Sequence, residues 1–137
     1  KCEVMHLGSS NNKFNYRLIK PMSNIPIILE KIPFEKDLGV FVDCNINFSL
    51  HVNTQANIAI KIIGMIKRSF TFLDVSIFWN LFASLVRPHL DYCSPLYYPR
   101  LIKDCRTIEN VLRKSSKLVP GLFGLIPVFT QRYGGNF

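Results

Sequence analysis

The stretch SLHVNTQANIAIKIIGMIKRSF, from Ser49 to Phe70, decides the architecture of this 137-residue chain. Before it, short apolar runs alternate with polar residues, as in β-strands. Within it, apolar residues recur every three or four positions, as on one face of an α-helix. The residues of that face are Val52, Ala56, Ala59, Ile63, Ile66 and Phe70. The change of period predicts a β-rich first third that is followed by helices.

Two further helices are predicted downstream. Asp74 is a favourable N-cap for the second helix, and Pro88 should kink or end it because proline lacks a backbone N–H. The third helix runs from about Asp104 to Val119 and closes at Pro120-Gly121. The residues predicted to lie in the core are Ile77, Phe78, Trp79, Leu81, Phe82 and Leu85 in the second helix, and Ile108, Val111, Leu112, Ser115 and Leu118 in the third.

Upstream of Ser49, the chain is predicted to form an antiparallel β-ribbon from about residue 3 to residue 43. Turn residues and prolines separate short runs rich in branched and aromatic side chains. The expected fold class is therefore α+β, with a ribbon over residues 1–48, a three-helix bundle over residues 49–122 and an irregular tail over residues 123–137. The predicted strands are Glu3–Leu7, Phe14–Ile19, Pro26–Leu29 and Leu38–Val42.

Positive charge is concentrated in the second half of the chain. The net charge is +8, and residues 57–117 contain ten basic and four acidic side chains, against six and five in residues 1–56. Such an imbalance suggests a polyanionic partner such as nucleic acid, whose phosphates release counterions when cations bind them. The alternative is ordinary surface charge that keeps the protein in solution.

The sequence disfavours several other classes of function. The longest strongly apolar run without charge, Val75–Val86, is too short for a bilayer span, which needs about 20 residues. His6, His51 and His89 lack metal-ligand spacing, so no metal site is expected. Without a secretory signal or a CxxC pair, the four cysteines are expected to be reduced thiols in an intracellular protein of the cytoplasm or nucleus that is not secreted.

Three sequence blocks occur together at a characteristic spacing. They are Lys36-Asp37-Leu38-Gly39-Val40-Phe41-Val42-Asp43, Val86-Arg87-Pro88-His89-Leu90-Asp91-Tyr92 and Lys117-Leu118-Val119-Pro120-Gly121-Leu122. Together they resemble the segment that follows the catalytic carboxylates in the reverse transcriptases of non-LTR retrotransposons, the LINE-type and jockey-like elements. The resemblance is closest over residues 36–122 and looser over residues 1–33.

The resemblance implies that the chain contains the end of the palm, the primer grip and the thumb of an RNA-directed DNA polymerase. It implies that Leu38 and Gly39 form the primer grip, where backbone approaches the primer. It also implies that Lys1, at the end of the palm, contacts a phosphate of the incoming nucleotide. The alternatives are an ordinary turn glycine at Gly39 and a lysine that is simply exposed at position 1.

The helices would correspond to the thumb, which holds the template–primer duplex by its backbone. Arg106, Arg113 and Lys117 fall on one stripe of the third helix, and Lys61 and Arg68 share a face of the first helix. We expect phosphate contacts from both faces, without reading of the bases. The alternative is that each stripe is only the solvated side of an amphipathic helix.

Departures from the family pattern limit the expected activity. The aspartate pair that holds two metal ions is absent, as are the fingers and most of the palm. Tyr97 stands where the family typically has a tryptophan, and residues 123–137 look unrelated to it. We therefore expect a C-terminal fragment that is not an enzyme by itself and has no cofactor of its own, since Mg²⁺ would act only in the intact polymerase.

The expected partner is an RNA template/DNA primer duplex, bound through its backbone, with neither a membrane nor a small-molecule substrate. Two alternatives stay open. One is a free-standing, non-catalytic module that binds nucleic acid. The other is a decayed transposon relic without function.

Overall fold

The computed structural model describes residues 2–19, 25–97 and 101–119. Its α+β class is the one predicted, because strands come before residue 44 and helices after residue 48. The chain divides after Leu50 into two units. The third helix ends earlier than the predicted Val119, because it stops at Ser116 within the described residues. Lys1, Pro120-Gly121 and the tail predicted for residues 123–137 lie outside the described residues.

The described strands pair into three separate two-stranded sheets, whereas a single ribbon was predicted. Two pairs are antiparallel, but the first is parallel. The parallel pair joins residues far apart in the sequence, and local alternation of residue type does not encode such a pairing. The pairs are β1 (Glu3–Val4) with β4 (Glu30–Lys31), β2 (Arg17–Ile19) with β3 (Pro26–Ile28), and β5 (Phe34–Asp37) with β6 (Val40–Asp43).

Leu38 and Gly39 form the turn between β5 and β6. The register pairs Asp37 with Val40, so only these two residues connect the strands. Their φ angles are +46° and +86°. Two consecutive positive φ angles are typical of a type I′ turn, which matches the twist of the strands it joins. The strand predicted over Leu38–Val42 was therefore wrong at its start, since β6 begins after the turn.

The helical part follows the predicted order with one addition and one distortion. Asp74 caps α2 as predicted, because its carboxylate accepts a hydrogen bond from the backbone N–H of Ser76 at 3.2 Å. The short α4 was not predicted. The elements are α1 (Ser49–Ser69), α2 (Val75–Leu81), a π-helical turn (Phe82–Val86), α3 (Arg87–Asp91), α4 (Ser94–Tyr97) and α5 (Ile102–Ser116).

The π-helical turn accommodates Pro88 in the second predicted helix. The backbone N–H of Arg87 bonds to the carbonyl of Phe82, five residues back, and α3 then continues through Pro88 to Asp91. In an α-helix the proline ring would clash with the carbonyl of Ser84, four residues earlier, and a wider turn relieves that clash. Of the two outcomes predicted for Pro88, a kink or a helix end, the end does not occur, because the helix widens before the proline and continues to Asp91.

The second unit has a hydrophobic core of its own. Residues of α1, α2, the π-helical turn, α3 and α5 contribute to it, and Phe78, Val86 and Val111 are completely buried. Phe78 and Phe82 stack with 5.9 Å between ring centroids, and Trp79 meets Phe82 edge-on at 5.9 Å. The prediction that these three aromatic residues belong to the core is confirmed.

Three residues predicted to face the core are exposed instead. Phe70, Ile77 and Leu85 are 40%, 46% and 40% exposed. Phe70 follows the last residue of α1, Ile77 lies in the first turn of α2, and Leu85 lies in the π-helical turn. At helix ends and in a widened turn, the apolar stripe of a regular helix no longer points to one side.

Candidate nucleic-acid interface

One face of α5 contains the three predicted stripe residues and two further cations. At 3.6 residues per turn, the five side chains fall within an arc of about 100°. This arc lies opposite the buried stripe that includes Ile108 and Val111. All five side chains are exposed. We call this the α5 cationic face, and it consists of Lys103, Arg106, Arg113, Lys114 and Lys117.

The charge of the α5 cationic face is not neutralised by the described residues. None of its five side chains forms an ion pair there, whereas Arg87 and Asp91, in the same unit, lie 2.8 Å apart. A row of cations without carboxylate partners can contact successive phosphates. Arg113 and Lys114 also lie in the last turn of α5, where a cation stabilises the helix dipole. Part of the charge therefore has a structural explanation.

Lys61 and Arg68, the predicted pair on α1, are also exposed, and they lie two turns apart on one face of that helix. Lys67, in the last turn of α1, was not among the predicted site residues. It lies in the same groove as Lys117, the C-cap residue of α5. The sequence gives no signal for this approach, because it depends on how the two helices pack.

The groove lies at the C-terminal ends of α1 and α5, beside the loop that joins α1 to α2. Its volume is about 490 Å³. Two of its aromatic residues are exposed, Phe72 by 91% and Phe70 by 40%. We call it the α1/α5 groove, and its lining includes Lys67, Phe70, Phe72, Leu73, Lys117 and Leu118.

The predicted primer grip forms an exposed apolar tip in the first unit. Leu38 is 85% exposed. Turn geometry alone accounts for Gly39, which supports the ordinary alternative for that residue. It does not account for Leu38, because such turns prefer Asn, Asp or Gly, and a left-handed backbone costs a branched residue about 1 kcal/mol or more. Beside the turn, the Lys36 Nζ atom lies 5.5 Å from the ring centroid of Phe41, its partner across the strands.

The predicted site residues thus fall into two groups. Leu38 and Gly39 belong to the first unit, and the basic residues of α1 and α5 belong to the second. Within the second unit, the fold places Lys117 in one groove with Lys67. Lys1, the predicted nucleotide-phosphate contact, lies outside the described residues.

Other chemistry has little support in the described parts of the chain. Over residues 2–19, 25–97 and 101–119, no three His, Cys, Asp or Glu side chains come together in a way that could hold a metal ion. All four cysteines are free thiols.

Burial, with the nearby carboxylates of Glu109 and Asp104, raises the pKa of Cys105, so this thiol is protonated and a poor nucleophile at neutral pH. Over the described residues, no helix is both long and apolar enough to cross a bilayer.

Comparison with known proteins does not assign a family. No protein-family model matches the chain, and no solved structure matches it. The chain is similar to an uncharacterised protein of Caenorhabditis elegans, with 32% identity over 83 residues. The aligned region is 61% of this chain and 42% of that protein. The chain therefore spans less than half of this relative's length.

Proposed function

We propose that this chain is the C-terminal part of the reverse transcriptase of a non-LTR retrotransposon. In this proposal the helical unit acts as the thumb, and the turn at Leu38 and Gly39 acts as the primer grip. The chain is not catalytic alone, because the carboxylates that bind Mg²⁺ would belong to the rest of the polymerase. The protein would work inside the cell, in the cytoplasm or nucleus.

The observation that most supports this proposal is the α5 cationic face. Its five exposed side chains have no ion-pair partner among the described residues. Arginine offers a planar set of N–H donors that suits phosphate oxygens, and lysine adds a compact point charge. Such contacts hold an RNA–DNA hybrid by its backbone and are independent of sequence, as a polymerase that copies any template requires.

The salt dependence of binding tests this role. We expect the triple variant Arg106→Gln/Arg113→Gln/Lys117→Gln to bind a blunt RNA–DNA hybrid more weakly than the unmodified chain. The slope of log affinity against log salt concentration should become shallower by about 2 to 3, since each lost phosphate contact removes about one released counterion. Fluorescence anisotropy over a series of KCl concentrations measures this slope.

A matched control removes the same charge from the first unit. The variant Lys13→Gln/Arg17→Gln/Lys31→Gln also lowers the net charge by three, and all three positions are exposed. We expect it to change the slope by less than half as much. An equal effect of the two triple variants would mean that binding depends only on net charge, and it would contradict a specific role for α5.

The second candidate is a free-standing module that binds nucleic acid without catalysis. The hydrophobic core of the second unit favours it, since that core is built from residues of this unit. The DNA directly upstream of the Lys1 codon distinguishes the candidates. An in-frame segment that encodes an aromatic-Ala-Asp-Asp turn would support the polymerase. A stop codon or unrelated sequence would leave only the binding module or a relic without function.

A further inference from the structure

We propose that the α1/α5 groove binds an unpaired nucleotide, with a lysine on its phosphate and Phe72 stacked on its base. This inference rests on the proposed nucleic-acid-binding function and specifies the ligand of one part of the interface. The duplex would contact the α5 cationic face, and a single-stranded extension of that duplex would enter the groove.

The polar side of the groove is suited to an anion. Lys67 and Lys117 come from different helices, and neither forms an ion pair among the described residues. No acidic side chain is found in the described lining. The groove lies where α1 and α5 end, and helix C-termini present carbonyl groups that repel anions. The attraction for a phosphate must therefore come from the lysine side chains of the lining.

The apolar side of the groove favours an unpaired base over a duplex. Phe72 is 91% exposed, so it contributes little to the core, and it lies beside a lysine in the same lining. An exposed aromatic ring next to cations is the usual platform for single-stranded nucleic acid, because every base has a face that can stack. In a duplex the base faces already stack on each other and are not available to such a ring.

The size of the groove agrees with a ligand of this kind. A volume of about 490 Å³ lies within the range of roughly 300 to 1,000 Å³ that is typical of pockets for small organic groups. A free inorganic phosphate would use the lysines but not the aromatic surface. A nucleotide uses both, since it joins a phosphate to a planar ring.

The test compares two ligands that differ only in an unpaired extension. One is a blunt RNA–DNA hybrid, and the other is the same hybrid with a run of unpaired thymidines. We expect the full chain to bind the extended hybrid more tightly, by roughly 5- to 100-fold, as one stacked base contributes. The variant Phe72→Ala should lose this gain and bind the blunt hybrid normally, whereas Phe72→Trp should retain it.

Two controls address the fold and the stacking. The variant Phe14→Ala removes another exposed phenylalanine, 63% exposed and in the first unit, and should leave the gain unchanged. In Phe72→Trp, the fluorescence of the new tryptophan should be quenched by the extended hybrid but not by the blunt one. Thermal melting of Phe72→Ala should match the unmodified chain, because the ring is almost fully exposed.

The outcomes separate this inference from the function on which it rests. If both hybrids bind equally well, or if Phe72→Ala keeps the gain or weakens both ligands alike, the groove proposal is wrong and the thumb proposal stands. If neither hybrid binds, both proposals fail. Displacement of the extended hybrid by polyglutamate as readily as by oligothymidine would also overturn the groove proposal, since the groove would then recognise charge alone.

Discussion

Leu38 has a left-handed backbone that its side chain does not explain. It occupies the first position of a tight turn at φ +46°, where asparagine or glycine is usual, and it is exposed. Strained backbone of this kind clusters at functional sites, so it motivates a hypothesis about function at Leu38. The proposed contact with the primer gives Leu38 such a function.

The cost of this strain can be measured. We expect Leu38→Asn to stabilise the β5–β6 hairpin by about 1 kcal/mol, because asparagine tolerates a left-handed backbone better than leucine does. Amide hydrogen exchange of Val40–Asp43 should slow accordingly. Gly39→Ala, at φ +86°, is the control and should speed the same exchange. Unchanged or faster exchange in Leu38→Asn would contradict a strained turn.

Asp74 makes the start of α2 sensitive to pH. Hydrogen bonds from the Ser76 hydroxyl and backbone lower the pKa of Asp74 below its ordinary value of 3.8. The pKa of Asp74 is lower in the folded state than in the unfolded state. The hydrogen bonds to its carboxylate therefore stabilise the fold at pH values above the ordinary pKa. This stabilisation is lost as the pH falls through the folded-state pKa.

Asp74→Ala should therefore lower the Tm of the second unit by a few degrees at neutral pH. The difference from the unmodified chain should shrink in acid. Asp74→Ser keeps a capping oxygen that does not titrate, so at neutral pH its Tm should fall by less than that of Asp74→Ala. This smaller difference from the unmodified chain should also shrink in acid, where the unmodified Asp74 becomes protonated. Fluorescence of Trp79, the single tryptophan, follows the melting. If Asp74→Ala lowers the Tm by the same amount at neutral and acidic pH, the ionised carboxylate is not the source of the stabilisation.

At the scale of the elements, the π-helical turn at Phe82–Val86 makes Pro88 tolerable within a helix. The ordinary cost of a proline inside a helix is about 3 kcal/mol or more. Here the turn already moves the backbone away from the clash, and Pro88 lies in the first turn of α3, where proline is accepted.

Pro88→Ala should consequently change the free energy of unfolding by less than about 1 kcal/mol. Urea unfolding followed by Trp79 fluorescence measures the change. A gain of about 3 kcal/mol would show that the proline still strains the helix as an interior proline does. It would contradict the accommodating role of the π-helical turn.

The elements also show which features could be predicted from sequence. α1 was predicted to within one residue because its apolar period persists from Val52 to Ile66, about four turns of helix. The parallel pairing of Glu3–Val4 with Glu30–Lys31 depends on contacts between distant residues, and no local pattern indicated it. The same limit applies to the site. The stripe of Arg106, Arg113 and Lys117 follows from helix periodicity, but the approach of Lys67 to Lys117 depends on packing.

At the scale of the whole molecule, the two units differ in how they are stabilised. The second has a core with several completely buried side chains. In the described part of the first, Val40 and Phe48 are the buried apolar residues, while Phe14, Ile19 and Ile28 are each more than 60% exposed. Isolated two-stranded sheets are only marginally stable in water. This contrast agrees with the proposal that the first unit is part of a larger palm.

Cross-linking of the full chain to an RNA–DNA hybrid, mapped by mass spectrometry, shows whether α5 holds the duplex. We expect cross-links at Lys103 and Lys114 of α5 and at its C-cap residue, Lys117. In the triple variant, which lacks Lys117, the cross-links at Lys103 and Lys114 should be weaker. We expect few at Lys13 and Lys31, which are also exposed but belong to the first unit. Cross-links spread evenly over all exposed lysines, or confined to the first unit, would contradict a thumb that holds the duplex through α5.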